Sequence, residues 1–165
     1  MGEGLQYGVS VVVYFWIREQ IHEENILMRV MLVDDDDSVR WYLRKALERL
    51  GHDVSAYPDA SSFLEALSES RAPDFVITDN NLGNCLKGTE LAISIAEVAP
   101  RTPVILFSGD NIKKLEREVY PGTIHVILPK PANLKSLHIA MRCAGEMAKD
   151  PRWEGSPFVP PPFGG

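Results

Sequence analysis

The chain has 165 residues, 45% of them apolar and 24% charged, with 17 Lys and Arg against 23 Asp and Glu and a formal net charge of −6. That length suits one domain with short flanking segments, and the apolar share excludes a wholly disordered or fibrous chain. The acidic balance argues against direct nucleic-acid binding, which leaves a basic footprint, and two cysteines, Cys85 and Cys143, are too few for a disulfide framework and read as reduced thiols of a cytoplasmic protein.

Residues 1–27 stand apart from the rest. Residues 9–17, VSVVVYFWI, form an apolar run shorter than the about 20 residues a helix needs to cross a bilayer. No Lys or Arg precedes the run, so it lacks the basic region of a secretory signal. The expectation is an apolar extension that packs on the domain or on a second copy, with no membrane span.

From Arg29 onward, short apolar runs alternate with amphipathic stretches. Residues 30–33 predict a strand. Val39, Leu43, Ala46, Leu47 and Leu50 then fall at helical spacing, and Gly51 follows as a stop. Residues 53–57 predict a weaker strand, and Asp59 can cap a helix carrying Phe63, Leu64 and Leu67. A strand at 75–78 precedes a helix with Leu91, Ala92, Ile95 and Ala96 that stops before Pro100. A strand at 104–107 leads to a short helix with Ile112, Leu115 and Val119, ended by Pro121. The last strand is predicted at 124–128, and the last helix carries Leu134, Leu137, Ala140, Met141 and Ala144. The domain is thus expected over 28–149. Residues 150–165, DPRWEGSPFVPPPFGG, hold five of the twelve prolines and predict a disordered or polyproline-like tail.

Strands that are apolar throughout are buried on both faces, which implies an α/β domain with a parallel sheet covered by helices. In such a sheet, ligands bind beyond the carboxyl ends of the strands. There this chain carries Asp34-Asp35-Asp36-Asp37, Asp79, Ser108 and Lys130. Clustered carboxylates repel one another, and an oxygen-only donor set that relieves the repulsion selects Mg²⁺, or Mn²⁺ in its place. An Asp beside such an ion could act as a nucleophile toward phosphorus. Transfer of a phosphoryl group requires its oxygens to be neutralised, and Lys130 and Ser108 offer a charge and a hydrogen bond. A calcium loop is excluded, because the Gly and Glu it needs are Val39 and Lys45 when counted from Asp34. Asp36 and Asp37 also suit a helix N-terminus.

In order and spacing, VMLVDDDDSVRWYLRKALERLGHDV, DFVITDNNL, VILFSGD and ILPKP resemble the receiver domain of two-component response regulators, over residues 29–148. The resemblance implies a doubly wound (βα)5 flavodoxin-like parallel sheet with strand order 2-1-3-4-5. By position it implies Asp79 as the phosphoacceptor and Asp34 and Asp35 as the acidic pair, Asp35 touching Mg²⁺ directly and Asp34 through water. The backbone carbonyl of Asn81 would complete the metal shell. Ser108 would be the switch hydroxyl, and Lys130, followed by a cis bond to Pro131, would pair with a phosphoryl oxygen. Asn81 and Asp110 stand where the family tunes hydrolysis of the acyl phosphate.

The sequence also departs from the family pattern. Ile127 stands where an aromatic switch residue belongs, with His125 nearby as a candidate substitute. The loop NNLGNCLKGTELA carries Gly83 and Gly88, both expected to allow φ > 0, where many relatives have Met-Pro. The implied readout face is the fourth helix, fifth strand and fifth helix, with Lys113, Lys114, Arg117, His138 and Arg142. Trp41 on the first helix is a candidate docking residue for a histidine kinase or phosphotransfer protein, the competing reading being that it packs under the N-terminal extension.

The resemblance therefore implies a cytoplasmic phosphoacceptor and not an enzyme that turns over a metabolite. It would take a phosphoryl group from a histidine kinase or histidine phosphotransfer protein. It would then signal through contacts with a downstream partner or a second copy. One alternative is a phosphorylation-independent interaction module, which Ile127 and the apolar extension favour. The other is a haloacid-dehalogenase-like metabolite phosphatase, whose D-x-D-x-[TV] pattern fails here at Ser38.

Overall fold

The computed structural model describes residues 26–83 and 86–161. The apolar run at 9–17 and Cys85 lie outside the described residues. Strands and helices alternate: β1 (Arg29–Val33), α1 (Asp37–Arg49), β2 (Asp53–Tyr57), α2 (Ala60–Glu69), β3 (Phe75–Thr78), α3 (Gly88–Val98), β4 (Val104–Ser108), α4 (Ile112–Glu118), β5 (Val126–Pro129) and α5 (Leu134–Lys149). The strands pair in parallel in the order β2-β1-β3-β4-β5, as the receiver resemblance implies.

Burial follows from strand position. β3 and β4, in the interior of the sheet, are buried at every residue, whereas β2 at one edge exposes Asp53 and Ser55. Successive residues of a strand point to opposite faces. Ile77 and Ile105 therefore join Leu43, Leu47, Leu137 and Met141 beneath α1 and α5. Val76 and Leu106 join Phe63, Leu91, Ile95 and Leu115 beneath α2, α3 and α4. Each such fully buried aliphatic side chain stabilises the fold by about 2 kcal/mol before ordering costs.

Side-chain caps fix where the helices begin. Asp36 accepts from the Ser38 and Val39 N–H groups at 2.8 and 3.0 Å, and Asp59 from Ser62 at 2.7 Å. Asn111 and Asn133 do the same for α4 and α5. Asp36 is thus a helix cap. Gly51 stops α1 with φ +85°.

Two stretches differ from the sequence expectation. β5 begins at Val126, two residues later than predicted, because His125 joins β4 partly through its ring. Its N–H donates to the Val104 carbonyl at 2.9 Å, while its Nδ1 accepts the Val104 N–H at 3.2 Å. Of the tail at 150–165 expected to be disordered or polyproline-like, residues 150–161 instead return along β5, where Phe158 is buried and forms a parallel bridge with Val126; residues 162–165 lie outside the described residues. Trp153 and Phe158 find apolar partners there, and the backbone pairs on an edge that no other described strand covers. Among the described residues, no helix is long and apolar enough to cross a membrane.

Candidate functional site

Parallel strands deliver their carboxyl ends to one side of the sheet, so residues far apart in sequence meet there. The ladder continues into the site: the Asp79 N–H donates to the Val33 carbonyl at 2.9 Å, and the Lys130 N–H to the Ser108 carbonyl at 2.9 Å. These backbone bonds set the positions from which the side chains reach.

Asp34, Asp35 and Asp79 each contribute a carboxylate oxygen to a cluster in which these atoms lie within 4.8 Å of one another. Asp34 is fully buried, Asp79 nearly so, and Asp35 is exposed. Lys130 sends its Nζ to 3.0 Å from Asp34 Oδ2 and 3.5 Å from Asp79 Oδ1. The same ammonium lies 5.2 Å from the centroid of the Phe107 ring. The Lys130–Pro131 peptide bond is cis.

Backbone donors hold the two buried acids. Asp36 N–H donates to Asp34 Oδ1 at 2.9 Å, and Asn80 N–H to Asp79 Oδ1 at 2.8 Å. Burial pushes the Asp79 carboxyl above its ordinary value; Lys130 opposes that shift and the charge of Asp34 adds to it. Three carboxylates face one ammonium, so negative charge is left over in a partly dry place. The donors are all oxygen, and Asp35 keeps one side open to water. This set fits a hard divalent cation of the Mg²⁺ type.

Ser108 is buried, and its Oγ accepts the Asp110 N–H at 3.1 Å. Asp110 in turn accepts from Asn80 Nδ2 at 3.0 Å and from Asn81 Nδ2 at 3.4 Å. The Asn80 bond, above all, holds the Asp110 carboxyl below its usual value. Asn81 has its side chain on Asp110 and its main chain in an antiparallel bridge with Lys87.

Sequence reasoning passed over Asn80. It is buried, and its Oδ1 also accepts the Thr89 N–H at 3.3 Å, so one amide ties the residue after Asp79 to both α3 and Asp110. The only signal was an amide directly after the candidate nucleophile. Gly88 was expected to allow a turn with φ > 0, and this is corrected, since it does not take a positive φ. It is the first residue of α3, and a Cβ there would lie 2.1 Å from the Asp79 carbonyl oxygen. Gly83 does take a positive φ, +81°.

Ile127 is fully buried within the α2–α4 core layer. His125 lies at the opposite end of β5 from Lys130, stacked on Trp153 with 4.2 Å between ring centroids, so it does not stand in for an aromatic switch. Cys143 is buried, which pushes its thiol up to about 12 and leaves it unreactive. Trp41, Lys113, Lys114 and Arg117 are exposed, while His138 and Arg142 are half-buried on α5.

A family model described as the response regulator receiver domain matches residues 30–142. The chain is 32% identical over 105 residues to the DNA-binding transcriptional regulator NtrC of Proteus hauseri, covering 64% of this chain and 22% of that protein. It is 32% identical over 112 residues to ethylene receptor 3 of Oryza sativa subsp. japonica, covering 67% of this chain and 13% of the receptor. The chain therefore spans about a fifth or less of these relatives' length. Among solved structures, a CheY-like response regulator receiver domain protein from Methanospirillum hungatei JF-1 matches at a TM-score of 0.68 and 20% identity. That match covers 75% of this chain and 98% of that one, a likeness of fold.

Proposed function

The chain belongs to the response regulator receiver domain family of two-component signalling, and on that premise we propose that Asp79 is a phosphoacceptor supplied by a histidine kinase or a histidine phosphotransfer protein. The observation that carries this reading is Lys130 Nζ at 3.0 Å from Asp34 and 3.5 Å from Asp79, inside a cluster of carboxylates. An ammonium already placed against the acceptor can follow the negative charge onto a phosphoryl oxygen.

In the proposed reaction an oxygen of Asp79 attacks phosphorus. The O–P bond forms and the P–N bond to the donor imidazole breaks, its electron pair staying on nitrogen. Among the described residues, both polar contacts to Asp79 fall on Oδ1, which leaves Oδ2 to attack. The raised basicity of this carboxylate suits it to that task. Asp34, Asp35, Asp79 and the Asn81 carbonyl would hold Mg²⁺ or Mn²⁺. When bound, that ion supplies divalent charge against the phosphoryl oxygens. The Ser108 hydroxyl, whose Oγ accepts the Asp110 N–H and which also bonds the Asp110 carboxylate, would turn its proton toward a phosphoryl oxygen.

The product adds about −1.5 to −2 charges at the site. Lys130 and Ser108 would turn toward it and bias the loops after β3 and β4, and the α4–β5–α5 face would pass the change to a protein partner or a second copy. Asp110, with Asn81 bonded to it, would orient an attacking water, so the phosphoryl state is expected to be short-lived. A half-life of many hours in purified protein with Mg²⁺ would overturn that part. On this reading the chain works as a cytoplasmic signalling module and not as a metabolite-processing enzyme.

Intact-protein mass spectrometry after incubation with acetyl phosphate and Mg²⁺ tests the whole reading. One labile phosphoryl adduct is expected on the wild type and none on Asp79→Asn or in EDTA. If no adduct forms and beryllofluoride also fails to bind, the phosphorylation-independent interaction module replaces this reading.

A further inference from the structure

β5 is an edge of the sheet among the described strands. A bare parallel edge offers N–H and C=O groups on which another extended chain can pair. Here the chain covers that edge with its own C-terminal segment. The Ile127 N–H donates to the Phe158 carbonyl at 2.9 Å, and the Phe158 N–H donates to the His125 carbonyl at 2.8 Å. Consecutive residues then diverge as in a strand: Phe158 joins the α1–α5 core layer, and Val159 packs on the α2–α4 layer.

The path into this pairing is closely fitted. Gly122 N–H donates to the Gly155 carbonyl at 2.8 Å. Gly155 has φ +87°, and a Cβ on it would meet the Gly122 nitrogen at 2.7 Å. Trp153 stacks on the His125 ring at 4.2 Å, and its Nε1–H donates to the Ser156 carbonyl at 2.7 Å. The contact is therefore specific to these residues.

It is also kept small by sequence. Pro160, the next residue whose N–H would face β5, has none, and Gly155 turns the chain with φ +87° before Phe158, so the ladder stays short on both sides. Among the described residues, this segment pairs with β5 in a single bridge, with Arg152, Glu154 and Ser156 exposed beside it. A short pairing at a sheet edge is the kind of element that opens without the rest of the domain unfolding.

We propose that residues 153–159 form a detachable strap over a peptide-docking edge. The β5 edge takes, in parallel, an extended segment with an aromatic residue between prolines, and the chain's own copy occupies it in cis. The partner in trans is the same segment of a second copy, which can make the same bonds once the cis strap is out. The inference stands on the β5 edge and does not depend on the chemistry assigned to Asp79.

The test uses full-length wild type, Gly155→Ala and Phe158→Ala, with a fluorescent synthetic peptide spanning residues 152–162 as the trans probe. Gly155→Ala removes no apolar surface but cannot keep the turn against Gly122. It is expected to speed exchange of the Ile127 amide about tenfold or more, while the Leu32 and Ile77 amides stay protected. Peptide affinity by anisotropy should rise about tenfold, because the competent open state is no longer a minor fraction. A peptide carrying Phe158→Ala should not bind. If Gly155→Ala loses Leu32 and Ile77 protection, the same two readouts on the Phe158→Ala chain, which keeps Gly155 but loses the strap's anchor, decide the outcome. Unchanged Ile127 protection in the variants, or equal peptide affinity for wild type and variants, overturns the proposal.

Discussion

Lys130 Nζ lies 3.0 Å from Oδ2 of Asp34, closer than its 3.5 Å approach to Asp79, and joins chain positions 96 residues apart. Its nearest partner is thus the fully buried acid and not the proposed acceptor. Removing the ammonium strands a buried charge, which costs more than the pair contributes when intact. Lys130→Met is expected to lower stability by about 3 kcal/mol, at the low end for a broken buried pair because the lysine keeps some solvent contact. Adding Asp34→Asn to it should restore most of the loss. Urea midpoints at constant slope measure both, and a single variant within the noise of wild type would remove Lys130 from the structural account.

Asp79 shows the opposite sign. Burial and the neighbouring Asp34 raise its folded-state pKa above the ordinary 3.8, so the native state holds its proton to higher pH than the unfolded chain does. Stability falls as pH rises through that window, and the deficit persists above it. In metal-free buffer, Asp79→Asn should therefore raise the melting temperature at pH 7. The gain should vanish below about pH 3.8, where both states are protonated. A lower melting temperature at pH 7 would mean that Lys130 outweighs burial at this carboxyl.

Much of this arrangement was legible because it depends on local pattern. The apolar runs and helical spacings located the β-α alternation, and the acidic run after residue 33 announced a charged strand end. Asp36 was ambiguous between site and cap until its bonds to Ser38 and Val39 settled it as a cap. Other features exist only after folding. Gly88 was read as a turn glycine, but its need is steric and is created by the Asp79 carbonyl brought against it. The strap could not be read from a proline-rich composition, because what holds it is the bare edge of β5 and the Gly122–Gly155 contact. Asn80 had no periodic or motif signal, since its importance lies in bonds to residues 9 and 30 positions away.

The two loop glycines should separate cleanly under substitution. Gly83→Ala has open space but a φ of +81°, so its cost should be about 1 kcal/mol. Gly88→Ala puts a methyl group 2.1 Å from the Asp79 carbonyl oxygen and 2.9 Å from the Asn80 Cα, and backbone cannot yield as a side chain can. Its cost should be about 3 kcal/mol or more. Labelling by acetyl phosphate should also slow in Gly88→Ala, since Asp79 must move, and stay near wild type in Gly83→Ala. Equal destabilisation of the two would show that conformation, not contact, sets the requirement at Gly88.

His125 gives the fold an acid-side weakness that reports on the strap. Burial pulls its imidazole from 6.5 down to about 4, with no charged partner among the causes. Between those values the unfolded chain binds the proton and the folded chain does not. Stability is therefore complete above about pH 6.5 and is lost as pH falls toward 4, by about 3 kcal/mol in all. His52 and His138 are shifted the same way, so the wild type alone cannot isolate the effect. His125→Asn keeps an acceptor near Nδ1 for the Val104 N–H and removes the titration. The difference between the two stability curves should slope across pH 4 to 6.5 and be flat above it. A difference flat throughout would mean that water reaches the His125 ring, which requires Trp153 to be off it and the strap already open in solution.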